Sequence, residues 1–129
     1  MQKRETYEWG DGVYTLLSWF KKEKVKNARV LVAGAGALGN EVVKNLALFG
    51  IGQIYVVDFD RIEISNLTRS VLFREEDAYN HSYKSEIVAK RAMEINPQIK
   101  VAHHHGIIMD HQMDIVLFQA RAFQIIDDL

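Results

Sequence analysis

No cysteine occurs in the 129 residues, which removes disulfides, thiolate zinc sites and a cysteine nucleophile from the chemistry of this stretch. Charge of one sign is not in excess either. Lys and Arg total 16 against 17 Asp and Glu, a formal net charge of -1. No bulk field therefore draws the chain to a phosphate backbone or an anionic membrane, and nucleic acid is disfavoured as a main partner. The apolar runs stay far short of a membrane-spanning helix, and the N-terminus lacks the basic, apolar and small-residue succession of a signal peptide. The expectation is a soluble, unprocessed chain with no membrane partner, cytoplasmic by default. Repeats and low-complexity tracts are missing too. What remains is 48% hydrophobic and 26% charged, the composition of one ordinary globular domain with enough apolar content to bury a core.

Residues 1–27 begin polar and pass through Val13, Tyr14, Leu16, Leu17, Trp19 and Phe20, a spacing that predicts a leading helix, followed by a lysine-rich linker from Lys21 to Lys26. Trp19 and Phe20 read as core or subunit contact. Arg29 to Ala33 is a short β-branched run ending in glycines, as expected of a parallel strand buried on both faces. Leu38, Val42, Val43, Leu46 and Ala47 recur at intervals of three and four until Gly50 and Gly52 stop the pattern, which predicts a helix with a glycine ending. A second strand follows over Ile54–Val57, so strand, glycine turn, helix and strand fall within about thirty residues, the size of a βαβ crossover. Further on, Tyr83–Ile95 reads as a helix closed by Asn96-Pro97, because proline disfavours helical geometry in the residue before it. Ile99–Ala102 reads as a third strand, Met109–Phe118 as a mixed segment with a short helix, and Phe123–Ile126 as a fourth strand stopping at Asp127. The fold class expected is α/β, a Rossmann-like mostly parallel sheet with helices on both faces, incomplete at the C-terminus.

The sharpest motif is Gly34-Ala35-Gly36-Ala37-Leu38-Gly39, set between a strand and a helix. In that context Gly34 permits the tight turn, Gly36 lets a phosphate approach the backbone, and Gly39 lets the helix pack on the strand. The helix N-terminus then offers unpaired N–H groups and a positive dipole end to the anion. Asp58 ends the second strand, where its carboxylate can accept hydrogen bonds from both ribose hydroxyls of a nucleotide. NAD, FAD and ATP all satisfy these requirements. His103-His104-His105 invites a metal reading, but consecutive strand residues face opposite sides and three in a row cannot converge on one ion. No side chain is therefore assigned as a metal ligand.

The connection from Asp58 to Asn80 is polar and weakly periodic, and a connection this long is more often functional than filler. Its charges and amides have no evident use in a dehydrogenase. Splitting ATP between the α- and β-phosphates does need cations against the leaving pyrophosphate, which Arg69 and Lys84 can supply, and a carboxylate for a magnesium ion. Lys84 at a helix start is otherwise an unfavourable placement for a cation.

These residues resemble the adenylating domains of the ubiquitin-activating, ThiF/MoeB/HesA-like family. The resemblance rests on the Gly34–Gly39 turn, Asp58-Phe59-Asp60, Ser65-Asn66-Leu67-Thr68-Arg69, Leu72-Phe73, Lys84 opening a helix and Ile95-Asn96-Pro97 closing it. It implies that ATP lies over the glycine turn, that Asp58 holds the ribose, and that Asn66, Arg69 and Lys84 contact the phosphates. Asp60 is expected to orient the loop or touch the ligand. It further implies ATP with Mg2+ as cofactors and, as partner, the C-terminal carboxylate of a ubiquitin-like or sulfur-carrier protein, which attacks the α-phosphate to give an acyl-adenylate and pyrophosphate. The chain departs from the family pattern where Ser70 replaces a Gln, where His81 stands near the position of a Gly, and where no arginine string is legible around Arg4. The family's Asp-x-x-Asp-Asn is matched only by Asp127. Residues 1–27 are thus expected to be a helix and linker, and residues 28–129 the N-terminal half of a truncated adenylation domain, expected to self-associate as a homodimer and to be unable to turn over alone. Two other readings stand beside this one: a non-catalytic partner module of the same fold, against which the retained Arg69 and Lys84 argue, and an NAD-dependent oxidoreductase, supported only by the turn and Asp58.

Overall fold

The computed structural model describes Trp19, residues 21–106 and the backbone of residues 123–126. The chain forms helix α1 (Lys22–Asn27), strand β1 (Arg29–Ala33), helix α2 (Ala37–Phe49), strand β2 (Gln53–Asp58), a single 3-10 turn (Ile64–Asn66), helices α3 (Glu75–Tyr79) and α4 (Lys84–Ile95), and strands β3 (Lys100–His105) and β4 (Phe123–Ile126). The sheet order is β3-β2-β1-β4. Strands β1, β2 and β3 are mutually parallel, with Val32 level with Val56 and Val56 level with His103. Strand β4 occupies the expected residues and runs antiparallel along β1, Val32 opposite Phe123. The sheet is therefore parallel through its first three strands, with one antiparallel pair at the β1 edge. The leading helix expected over Val13–Phe20 and the short one within Met109–Phe118 lie outside the described residues. No helix among the described residues is long and apolar enough to cross a membrane.

Period-two alternation builds the core. Val30, Val32, Ile54 and Val56 point to one face and are buried together with Val43, Leu46 and Ala47 of α2 and Ile87, Val88 and Ala92 of α4. Leu31, Ala33 and Val57 alternate to the other face and are buried as well, as the unbroken apolar runs require of strands covered on both sides. Helix α2 closes at Gly50, whose N–H donates to the carbonyls of Leu46 and Ala47. Its end is joined to that of α4 by Asn96, fully buried, whose amide donates to the Ala47 carbonyl at 2.9 Å.

Two stretches read as connections are more structured than expected. The lysine-rich linker carries α1, because Val25 packs against the core and its carbonyl accepts the N–H of both Ala28 and Gly52. Gly52 is required by that approach: a Cβ there would fall on the Lys26 carbonyl oxygen. The long connection after β2 is likewise pinned from within, by Ile62, Leu72, Phe73 and Ala78, all buried in the core. Helix α3 is further tied to α4 by a buried ion pair in which Arg91 donates to both oxygens of Asp77, at 3.2 and 3.0 Å. A second oxygen-bound partner of Asp77 is the Arg74 N–H at 2.8 Å, which starts α3.

Candidate functional site

The parallel strands all deliver their C-terminal ends to one edge of the sheet, where open α/β folds place their ligands. At that edge β1 turns through Gly34, whose φ of 103° lies in the left-handed region that a side chain disfavours. Its N–H donates to the Val57 carbonyl at 2.8 Å, binding the turn to β2. Gly36 then caps α2. No side chain caps this end and the first turn holds no acid, and among the described residues a Cβ on Gly36 would meet nothing within 4 Å. The helix N-terminus thus faces open space over a residue without a side chain, with its positive dipole end available to an anion. Gly39, the third residue of α2, is buried.

Asp58 does more than end its strand. One carboxylate oxygen accepts the Ala35 N–H and the other the Asp60 N–H, both at 2.7 Å. The half-buried carboxylate therefore braces the glycine turn on one side and the following loop on the other. Each oxygen retains a lone pair for a further donor. Asp60 in turn meets Lys84 twice: its carbonyl accepts the Lys84 N–H at 3.0 Å, and its carboxylate lies 3.6 Å from the Lys84 ammonium. The Lys84 side chain is only 12% exposed, so its charge is held at the start of α4 rather than dispersed in solvent. Of the residues expected from sequence, the structure joins the glycine turn, Asp58, Asp60 and Lys84 into one chain of contacts.

Asn66 and Arg69 form a second arm. Asn66 is buried, and its side-chain oxygen accepts the Glu63 N–H at 2.8 Å while its own N–H donates to the Glu63 carbonyl. It shapes the 3-10 turn. The Asn66 carbonyl then accepts the Arg69 N–H at 3.3 Å. Arg69 is exposed, and among the described residues its guanidinium enters no ion pair, with Glu63 or Asp60 included. A cation without an ion pair among the described residues can meet an external anion.

Two features of this edge escaped the sequence. Asn40, fully buried in the first turn of α2, donates to the Ala35 and Gly36 carbonyls at 3.0 and 2.8 Å and accepts the Leu72 N–H at 2.9 Å. The signal was there: an amide side chain on the apolar face shared by Val43 and Ala47. The other is a stack across the ends of β2 and β3. The Arg61 guanidinium lies 4.3 Å above the Tyr83 ring and donates to its hydroxyl and to the His81 carbonyl, both at 3.0 Å. Tyr83 stacks in turn on His105 at 3.7 Å, and Gly106 N–H reaches the Asp58 carbonyl at 3.0 Å. Arg61, read from sequence as one of a crowd of charges, thus fastens the loop to the start of α4, and one of the three histidines is a stacking partner there.

The sequence pattern of the ThiF family matches residues 14–127. The SUMO-activating enzyme subunit uba-2 of Caenorhabditis elegans is 38% identical over 104 residues, covering 80% of this chain and 18% of that protein. The sulfur carrier protein adenylyltransferase of Thermus thermophilus is 41% identical over 80 residues, covering 62% of this chain and 29% of that protein. Among solved structures, E. coli MccB crystallised with ATP superposes with a TM-score of 0.63 at 41% identity, over 68% of this chain and 25% of that one. The chain thus spans less than a third of the length of each of these proteins. With the ThiF pattern matched over residues 14–127, the chain belongs to the ThiF family.

Proposed function

We propose that this chain is the ATP-binding part of an enzyme that adenylates the C-terminal carboxylate of a ubiquitin-like or sulfur-carrier protein, releasing pyrophosphate. The observation that carries this reading is the open, uncapped N-terminus of α2 over Gly36, with Asp58 bracing the turn and Lys84 linked to Asp58 through Asp60. A purely structural turn has no need of an exposed arginine that makes no ion pair among the described residues. In this reading the triphosphate lies over the glycine turn, against backbone N–H groups, and the ribose hydroxyls donate to the remaining lone pairs of Asp58. A carboxylate oxygen of the carrier protein attacks the α-phosphorus. The bond to the bridging oxygen breaks and its electron pair leaves with pyrophosphate, whose developing charge Arg69 and Lys84 offset. The relatives named for SUMO activation and sulfur-carrier adenylylation support the substrate class.

Magnesium accompanies the triphosphate in this proposal and no step is routed through it. Among the described residues no three acidic or histidine side chains gather where they could hold an ion, both oxygens of Asp58 already take backbone donors, and Asp60 faces Lys84. Self-association into a homodimer belongs to the same reading, supported by exposed Leu38, Phe59, Ile64 and Val71 near the site. Residues 28–129 are proposed as one part of the adenylation domain, with the remaining activity carried by residues outside it. The test is calorimetric titration of the chain with ATP and with NAD, each with and without magnesium, repeated on Arg69→Ala. Selective ATP binding weakened in Arg69→Ala is the result expected. NAD preference indifferent to Arg69 would overturn the proposal.

A further inference from the structure

We infer that Asn40 is a positioning residue for the phosphate site, fixing the Arg69-bearing loop against the glycine turn through a single side-chain amide. The inference rests on the nucleotide reading above for its functional consequence and on geometry for the link itself. Glycine turn and loop are far apart in sequence, and Asn40 bridges them directly: two carbonyls of the turn on one end of its amide, the Leu72 N–H on the other. The orientation of the amide follows from its partners, because carbonyls only accept and a backbone N–H only donates.

The link lies close to the cation it would govern. Arg69 stands three residues before Leu72, in a segment whose first residue, Asn66, is fixed by Glu63 and whose last, Leu72, is fixed by Asn40. With both ends tied, the exposed guanidinium projects from a loop that has a set distance from the turn. Few side chains can do this. The site demands two donors and one acceptor on a short stem: Asp loses both donors and sets carboxylate oxygens against two carbonyls, Ser and Ala cannot reach Leu72, and Gln is too long. Full burial makes each lost partner expensive, since a buried polar group without water or partner bears its whole desolvation cost.

The experiment compares the intact chain with Asn40→Ala and Asn40→Ser, the latter retaining a hydroxyl that can still bond the Gly36 carbonyl. Amide hydrogen exchange without nucleotide reads the link. Affinities for ATP and for AMP, which lacks the outer phosphates, read its consequence. Faster exchange at Leu72 and Phe73, with strands β1 and β2 unchanged, is expected in both variants. ATP affinity should fall about tenfold, the worth of one charge-assisted hydrogen bond, while AMP affinity falls less than about threefold. Adding Arg69→Ala to Asn40→Ala should then cost less than about twofold more, because the arginine is already misplaced. Unchanged exchange at Leu72, equal loss of ATP and AMP binding, an undiminished Arg69→Ala effect, or failure of both variants to fold would each overturn the inference. If the unaltered chain does not distinguish ATP from AMP, the nucleotide reading fails instead, and the exchange data alone decide the link.

Discussion

Gly36→Ala separates what the glycine turn does for the fold from what it does for a ligand. The backbone there has a φ of -80°, which alanine adopts without strain, and the added methyl group would meet nothing within 4 Å. Two small terms act on stability. Alanine is the poorer helix N-cap by about 0.5–1 kcal/mol, and replacing glycine restricts the unfolded chain by about 0.4–1 kcal/mol. They oppose, so the net change stays within about 0.5 kcal/mol, a shift in Tm of about 2 °C for a chain of this size. Ligand binding should respond quite differently. A phosphate oxygen accepting backbone hydrogen bonds sits about 2.9 Å from nitrogen, in the space the methyl group takes. ATP affinity should therefore fall at least about tenfold, or about 1.4 kcal/mol. Thermal denaturation by circular dichroism, paired with calorimetric titration, measures both. Undiminished ATP binding with an unchanged Tm would refute the claim that the open space over Gly36 is where phosphate lies. A Tm lowered by more than about 5 °C would refute the stability argument, by showing that the position is packed.

Asp58→Asn keeps one acceptor and turns the other into a donor facing an N–H, so one charge-assisted hydrogen bond is lost at a half-buried site. A destabilisation of about 2 kcal/mol is expected in urea denaturation. The unaltered chain should also prefer ATP to 2′-deoxy-ATP and Asp58→Asn should not; equal discrimination by both would remove Asp58 from the ribose. Asp60→Asn releases Lys84 from its carboxylate, and because Asp60 is exposed the stability change should be below about 1 kcal/mol. ATP affinity in that variant should hold or rise, whereas a tenfold fall would place Asp60 on the ligand itself. In the α3–α4 pair, Arg91→Met and Asp77→Ala should each cost about 3 kcal/mol or more, since either takes from a buried charge its buried partner. Asp77→Ala should be the worse, as it also strips the Arg74 N–H of its partner; the reverse order would show that Glu76 and Glu94 hold the Arg91 charge once Asp77 is gone.

The strands, the two long helices and the glycine turn could be read from sequence because each is dictated by local information: β-branched runs, three-and-four spacing, a proline and glycine stops. The fourth strand was placed by the same signal, yet its antiparallel course along β1 was not legible, since an apolar run carries no direction. Nor was the internal order of the connection after β2. Ile62, Leu72, Phe73 and Ala78 are too widely spaced to show a period, and they become legible only once the core they plug is in place. Histidine placement illustrates the same limit from the opposite side. The alternation rule sets His103, His104 and His105 on opposite faces, but it had no way to find the ring against which His105 stacks, because Tyr83 is brought there by α4.

The site divides along the same line. Gly34, Gly36, Gly39 and Asp58 occupy positions that strand and helix geometry alone would give them, so their spacing in sequence carries the arrangement. Arg69 and Asn66 do not: nothing local tells how far an exposed loop arginine stands from a glycine turn. The determinant is a side chain on the other element, and it was overlooked because a helix interior is read for apolar residues. An asparagine with full burial costs stability unless every polar atom is matched, and all three partners of the Asn40 side chain are backbone groups, two carbonyls of the turn and the N–H of Leu72. A buried amide side chain at the head of a ligand-facing helix is therefore better sought as the strut of a loop than as a flaw in the core pattern. In this chain that strut is what connects the two arms of the site.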